Sequence, residues 1–377
     1  MPKAILEELA EFGQSIWLDN ISRRLLTSGE LKQLIAQGLR GMTSNPSIFN
    51  KAIGESADYD DMILKLKSQG KSTIEIYDEL TIRDIREAAD QFRGVYEKTQ
   101  GLDGYVSLEI NPLLANQVDA QIKEGGRLFE RVNRPNVMIK VPSTQEGIIV
   151  VEELISRGIN INVTLIFSVE QYTQAVQAYF RGLQRLSKRR DDLNAVHSVA
   201  SVFVSRVDSI IDKRLEERVA QAQNEKNKHR LRSLLGRAAV ANCRVISEQF
   251  KVLFDTDEFK SLFDQRANVQ RVLWGSTSTK NPAYRDIKYV EELITKPTVN
   301  TVPDATLKAL LGHGTVKEAF AYDVHQAEEI LEDLYTLGID IDEVCDKLLE
   351  DGCKSFNESF ESLIASIEKK AAQLSLA

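Results

Sequence analysis

Cysteine is scarce in this sequence. Three cysteines in 377 residues, Cys243, Cys345 and Cys353, are too few and too scattered for a disulfide framework, and none falls in a CxxC pair. The four histidines, His197, His229, His313 and His325, show no ligand spacing. A zinc site is therefore not expected, no cofactor is called for, and a reducing compartment fits best. No stretch approaches the roughly 18 apolar residues of a membrane helix. The opening "MPKAILEELAEFGQ" reads as an amphipathic helix with several acids, not as a targeting segment. A cytoplasmic location is the expectation. No GxGxxG follows an early strand, which argues against an open dinucleotide-binding sheet; "GLDG" and "GHG" are isolated. Internal repeats, low-complexity tracts and linkers are also missing.

Positive charge is in deficit. Lysine and arginine number 48 against 56 acids, a net charge of -8. Bulk attraction to nucleic acid or to an anionic membrane is excluded as a main function, and a phosphate-bearing ligand must be caught by local cations. With 42% apolar and 28% charged residues, the composition is that of a water-soluble globular chain.

What is present is alternation. "SIWLD" (15–19), "RGMTSN" (40–45), "GYVSLEI" (104–110), "NVMIKVP" (136–142), "NINVTLIF" (160–167), "HSVASVFVSR" (197–206), "QRVLWGST" (270–277) and "PTVNTVP" (297–303) read as strands. Most are separated by helical patterns, such as "SGELKQLIAQG" after the first and a region from about Asp58 to Lys98 after the second. Parallel strands need such crossovers, and eight units favour a closed (β/α)8 barrel. Length alone could suit two or three domains, but such barrels run long as one unit. The expectation is one barrel domain over residues 1–377, with a core of about 15–310, an N-terminal helix over 1–14 and C-terminal helices over about 320–377. The C-terminal helices are expected on the outside of the barrel; a helix across the mouth, or a subunit contact, is the sharper alternative.

Active sites of such barrels sit at the C-terminal ends of the strands. The first predicted strand ends at Asp19 and the second at Asn45. The third carries Glu109, the fourth Lys140, the fifth Asn162 and Thr164, and the sixth Ser201 and Arg206. The seventh runs into Ser276, Thr277, Ser278 and Lys280. Each alone has a bland reading: Asp19 as a cap, Asn45 before Pro46 as a turn, Arg206 as a partner of Asp208. Convergence from six or seven strands is harder to explain by packing.

Lys140 is the most informative. It lies in the apolar run of "NVMIKVP", where an ammonium is costly unless paired or deprotonated. A neutral amine attacks a ketone or aldehyde and forms a Schiff base, which draws electrons from a neighbouring C–C bond without any cofactor. Expelling water from the carbinolamine needs a proton shuttle, for which Glu109 and Thr164 with a water between them are candidates. Breaking the C–C bond needs a base at the substrate's C4 hydroxyl, and Asp19 is the candidate.

"IWLDNISR", "GMTSNPSIFNKAI", "YVSLEINP", "VMIKVPSTQEGI", "INVTLIFS", "ASVFVSRVDS" and "WGSTSTKNP" together resemble the transaldolase family, in its order, from residue 15 to about 285. The resemblance implies a single (β/α)8 barrel that moves a dihydroxyacetone unit between sugar phosphates in the non-oxidative pentose phosphate pathway. It implies that Lys140 is the Schiff-base lysine, Asp19 the acid–base aspartate, Glu109 the water-activating glutamate and Thr164 its partner. Asn45 and Asn162 would hold the donor's hydroxyls, and Ser201 and Arg206 would contact substrate, the arginine at phosphate. A second arginine that the better-known form carries after the seventh strand is replaced here by Lys280, with Ser278 nearby. The longer helical insert after the sixth strand, up to about Glu258, points to a bacterial subgroup that is not the shortest type. Sugar phosphates are the implied partners, with a monomer or homodimer as the assembly.

Two alternatives stay open at this level. One is a simple aldolase that releases free dihydroxyacetone. The other is a sugar-phosphate-binding barrel that has lost catalysis, although such a binder would not need Lys140, Glu109, Asp19 and Thr164 together.

Overall fold

The computed structural model describes residues 4–320 and 324–374. Eight parallel strands form a closed barrel in chain order: β1 (Gln14–Asp19), β2 (Gly41–Thr43), β3 (Val106–Glu109), β4 (Val137–Pro142), β5 (Ile161–Ile166), β6 (Ser198–Phe203), β7 (Arg271–Gly275) and β8 (Thr298–Val302). Closure comes from β8 pairing back onto β1, with Trp17 opposite Thr301. Helices separate successive strands, as parallel pairing requires. The chain is thus a (β/α)8 barrel with added helices.

Side chains along a strand alternate between faces, so residues two apart share one. Inside the barrel this alternation stacks three layers. At the N-terminal end, Arg271 pairs with Asp103 at 2.8 Å, and the Ser15 hydroxyl donates to the same carboxylate at 2.8 Å. Above them Trp17, Tyr105, Met138, Val199, Leu273 and Val299 form an apolar plug, distinct from the larger core between barrel and helices. Gly41 makes room for that plug: a Cβ there would meet the Trp17 ring at 2.6 Å. Two residues further along the same strands come Asp19, Thr43, Ser107, Lys140, Ser201 and Thr301. The apolar plug is the floor of a polar layer.

Three sequence expectations need correction. The strand at 40–45 is only Gly41–Thr43, and a helix, Pro46–Gly54, begins at once rather than near Asp58. Asn45 is its N-cap, accepting from the Ile48 N–H at 3.0 Å, and Pro46 suits the first helical position. The sixth strand stops at Phe203, and Arg206 lies in the first turn of the helix Ser205–Gln221. The insert before β7 holds that helix and three more, Glu225–Arg232, Ala238–Phe254 and Asp257–Phe263.

The third correction concerns the C-terminus. The last helix, Ile341–Leu374, does not lie on the outside of the barrel; it crosses the end where the strands finish. At about 1.5 Å per residue it is about 50 Å long, enough to span the mouth. Its apolar face buries Phe356, Phe360, Leu363 and Ile367. Phe360 meets Tyr77 edge-on at 5.2 Å. Asn50 donates to Ser362 at 3.0 Å, and Lys370 pairs with Asp60 at 2.8 Å. Gly352 brings the helix against β5, where a Cβ would lie 2.9 Å from Leu165 Cδ2. Its three- and four-residue apolar spacing is legible locally, but which surface that stripe covers is a long-range property.

Candidate active site

Lys140 is 4% exposed, between Ile139 and Val141, both fully buried. Its ammonium donates to the Ser44 carbonyl at 3.0 Å and lies 3.2 Å from Glu109 Oε2. Glu109 and Lys140 face each other in register across β3 and β4. The Phe356 ring lies 5.9 Å from the nitrogen, so the crossing helix helps to enclose it. Burial pushes the Glu109 carboxyl above its usual range, against the pull of Lys140.

Asp19 enters the same layer from β1. The Thr43 hydroxyl donates to Asp19 Oδ1 at 2.7 Å and lies 2.7 Å from the Thr301 hydroxyl. Each hydroxyl has one hydrogen, so the chain runs Thr301 to Thr43 to Asp19. Desolvation raises the Asp19 carboxyl, while Lys140 and the Thr43 hydrogen bond lower it. Two carboxyls that hold protons more tightly than usual thus share the field of one lysine, a pattern that suits acid–base work.

On β5, Asn162 is fully buried and fixed at both ends of its amide. It accepts from the Ser201 hydroxyl at 2.6 Å and donates to Ser107 Oγ at 3.1 Å. Thr164 is also fully buried, and its hydroxyl has no hydrogen-bond partner among the described residues. The β5–β6 register shifts just past Val163, and Leu165 adopts a left-handed φ of 61°. A locally irregular strand end is a common way to aim side chains near a site.

The candidate cations lie on adjoining segments, Arg206 in the first turn of the helix Ser205–Gln221 and Lys280 in the loop after β7. Arg206 stacks 5.4 Å from the Phe203 ring and has no acidic partner among the described residues; Asp208 is instead occupied by the Tyr289 hydroxyl and the Ala239 N–H. Burial lowers the Arg206 guanidinium from its usual value. Lys280 is exposed and donates to Ser278 Oγ at 3.0 Å. The Ser205 and Ser276 hydroxyls, 3.0 Å apart, and the Ser205 N–H to Ser276 carbonyl bond join the helix start to that loop.

Lys140 and Glu109 are in direct contact, Asn162 and Ser201 are hydrogen-bonded, and Asp19 lies in the field of Lys140, so these five share the polar end of the barrel. Asn45 stands just beyond β2, its side-chain oxygen engaged as a helix cap and its amide nitrogen without a hydrogen bond in the described structure. Sequence reasoning overlooked Thr43, Ser44, Ser107, Thr301 and Phe356. The first four stand in or beside strand segments already singled out. No local signal marks Phe356. Among the described residues no cluster of three or more His, Cys, Asp or Glu has metal-binding geometry, and no helix is long and apolar enough to cross a membrane.

Residues 16–367 match the family model described as transaldolase/fructose-6-phosphate aldolase. The chain belongs to that family. A transaldolase of Trichodesmium erythraeum is 44% identical over 98% of both chains. One of Saccharopolyspora erythraea is 42% identical over 98% of both, and one of Neisseria gonorrhoeae is 42% identical over 96% of this chain and 99% of its own. The family match extends past Phe356, so it takes in most of the crossing helix as well as the barrel.

Proposed function

We propose that this protein is a transaldolase. It transfers a dihydroxyacetone unit from a ketose phosphate (sedoheptulose 7-phosphate or fructose 6-phosphate) to an aldose phosphate (glyceraldehyde 3-phosphate or erythrose 4-phosphate). The observation that carries this reading is the Lys140–Glu109 contact of 3.2 Å in a closed barrel, with Asp19 held in the same layer by Thr43. A buried ion pair is weak evidence for stability, so its presence here is better accounted for by chemistry.

Lys140 loses a proton to Glu109 and attacks the ketone carbon. Glu109, with a water between it and the unpaired Thr164 hydroxyl, returns a proton to the carbinolamine oxygen, and a second proton reaches that oxygen from the nitrogen through the same water. The C–O bond breaks, water leaves and the imine forms. Asp19 then takes the proton of the C4 hydroxyl. The C3–C4 bond breaks, its electrons pass into the protonated imine to give an enamine, and the aldose departs. A second aldose enters, and the same steps run in reverse. Asn45, Asn162 and Ser201 hold hydroxyls of the donor, while Arg206 and Lys280, with Ser278, hold phosphate. Lysine binds phosphate as a point charge without arginine's fork, so Arg206 is the stronger anchor. The same reading assigns the enzyme to the non-oxidative pentose phosphate pathway in the cytoplasm, in keeping with three free thiols.

The test is to incubate the protein with fructose 6-phosphate, with and without erythrose 4-phosphate, and to trap with borohydride. The reading requires a covalent adduct on Lys140, and sedoheptulose 7-phosphate only when erythrose 4-phosphate is present. Free dihydroxyacetone as the main product would make the protein a simple aldolase, and no adduct would remove the Schiff base.

A further inference from the structure

Beside Glu109 lies a cavity of about 10 Å³, bounded by Pro142, Leu165 and Phe356 among others. That is about the room one water needs, and too little for a sugar ring or a phosphate. Two buried oxygens of its lining residues, Gln121 Oε1 and Asn357 Oδ1, lack a hydrogen-bond donor, and Glu109 Oε2 has only the Lys140 ammonium at 3.2 Å. Buried acceptors are nearly always satisfied, and leaving one unpaired costs about 1–3 kcal/mol. One water in this cavity has two hydrogens, enough to donate to both Gln121 and Asn357, and a lone pair left to accept a proton from Glu109. A cation is disfavoured by the Lys140 ammonium next to Glu109, whereas water carries two hydrogens and no charge. Gln121 comes from the helix Val118–Val132, where its amide nitrogen is fixed to the Ala115 carbonyl at 2.9 Å, and Asn357 from the C-terminal helix.

A groove of about 630 Å³, with Asn116, Ser143, Thr144 and Gln171 among its lining residues, borders this cavity and shares Ala115, Cys353 and Asn357 with it. Lys140, Asp19, Asn162, Arg206 and Lys280 line neither space. We propose that Glu109, Gln121 and Asn357 bind a water through which water and protons pass between Glu109 and this groove, on a route separate from the one sugar phosphates use. The inference rests on the Schiff-base reading above. Each imine formed releases one water and each imine hydrolysed consumes one, with Glu109 giving or taking the proton. A side route lets that exchange proceed while substrate fills the mouth. Gln121 and Asn357 are then positioning residues, acting through the water on Glu109.

Asn357→Leu and Gln121→Leu each replace an acceptor by an apolar group of similar size. Asn357→Ser keeps a hydroxyl and leaves room for water. The readouts are the initial rate of borohydride-trapped adduct on Lys140 and the division of transfer kinetics between kcat and KM, with circular dichroism as a check on folding. Either leucine variant should form adduct about ten- to hundredfold more slowly, part of what general acid–base assistance supplies. KM should stay within about twofold, and Asn357→Ser should recover most of the rate. Adduct formation at the wild-type rate in either leucine variant overturns the water site, as does a serine variant as slow as the leucine one. Absence of adduct in the wild-type protein overturns the Schiff-base reading instead.

Discussion

Lys140 Nζ stands 3.2 Å from Glu109 Oε2, and both side chains are 6% exposed. Replacing lysine by arginine keeps a positive charge beside Glu109 but removes the amine that can become an imine. Lys140→Arg should lower transfer by at least about a thousandfold and abolish the borohydride adduct, while circular dichroism stays close to wild type. Robust activity in this variant would remove Lys140 from the chemistry.

The carboxyls should divide the reaction between them. Asp19→Ala should slow C–C cleavage more than imine formation, so a trapped adduct accumulates. Glu109→Ala and Thr164→Ala should slow adduct formation itself. Thr43→Val tests the link from Thr43 to Asp19. A hydrogen bond to a charged group is worth roughly 1.5–3 kcal/mol, so about a ten- to hundredfold loss is expected. That bond lowers the Asp19 carboxyl, so its removal should move the acidic limb of the kcat profile to higher pH. A profile unchanged in Thr43→Val, or one common impaired step in all of these variants, would refute the division.

The barrel was legible because strand and helix alternate eight times, and the polar strand ends stood out against apolar runs. What stayed hidden has physical causes. β2 is three residues long, too short for a pattern, so Asn45 read as strand rather than cap. Arg206 read as strand because β-branched and aromatic residues run to Val204, where backbone pairing has already ended. Phe356 lies 216 positions beyond Lys140, on a helix whose apolar stripe gives its period but not its partner.

Arg206 and Lys280 carry the phosphate prediction. Arg206→Ala removes a charged fork that has no acidic partner among the described residues to compensate. A loss of about ten- to hundredfold in kcat/KM is expected on phosphorylated substrates, and a much smaller one on unphosphorylated donors. Lys280→Ala should act in the same direction less severely, since its ammonium is an exposed point charge. Equal losses on both substrate classes would make these residues structural.

Asp208 predicts how stability depends on pH. Burial, opposed by the Ala239 N–H and the Tyr289 hydroxyl, raises its carboxyl from 3.8 to about 6. A carboxyl raised on folding stabilises the fold below its unfolded value and loses that contribution as pH rises through the folded one. Stability attributable to Asp208 should therefore fall between about pH 4 and 6 and be flat above. Each unit is about 1.4 kcal/mol, so the fall is on the order of 3 kcal/mol. Asp208→Asn keeps an acceptor for the Ala239 N–H and has no charge to bury. Thermal unfolding from pH 4 to 8 should show its Tm gaining on wild type up to about pH 6. Parallel curves would mean that Asp208 titrates alike in both states.

Gly352 sets how closely the C-terminal helix approaches the site. A Cβ there would sit 2.9 Å from Leu165 Cδ2, the end of a flexible side chain, so a small shift can admit a methyl group. Glycine within a helix costs roughly 0.5–1 kcal/mol relative to alanine, which offsets that shift. Gly352→Ala should thus be close to neutral in Tm and activity. Gly352→Val adds two branched methyls that Leu165 cannot clear, and overpacking of this kind costs about 1–3 kcal/mol. The helix has to move off β5, and Phe356 moves with it away from Lys140. Transfer should fall by about tenfold or more, water should intercept more of the enamine to give free dihydroxyacetone, and limited proteolysis should cut the helix sooner. A valine variant that transfers at the wild-type rate with no extra dihydroxyacetone would show that the close approach at Gly352 does not matter to catalysis.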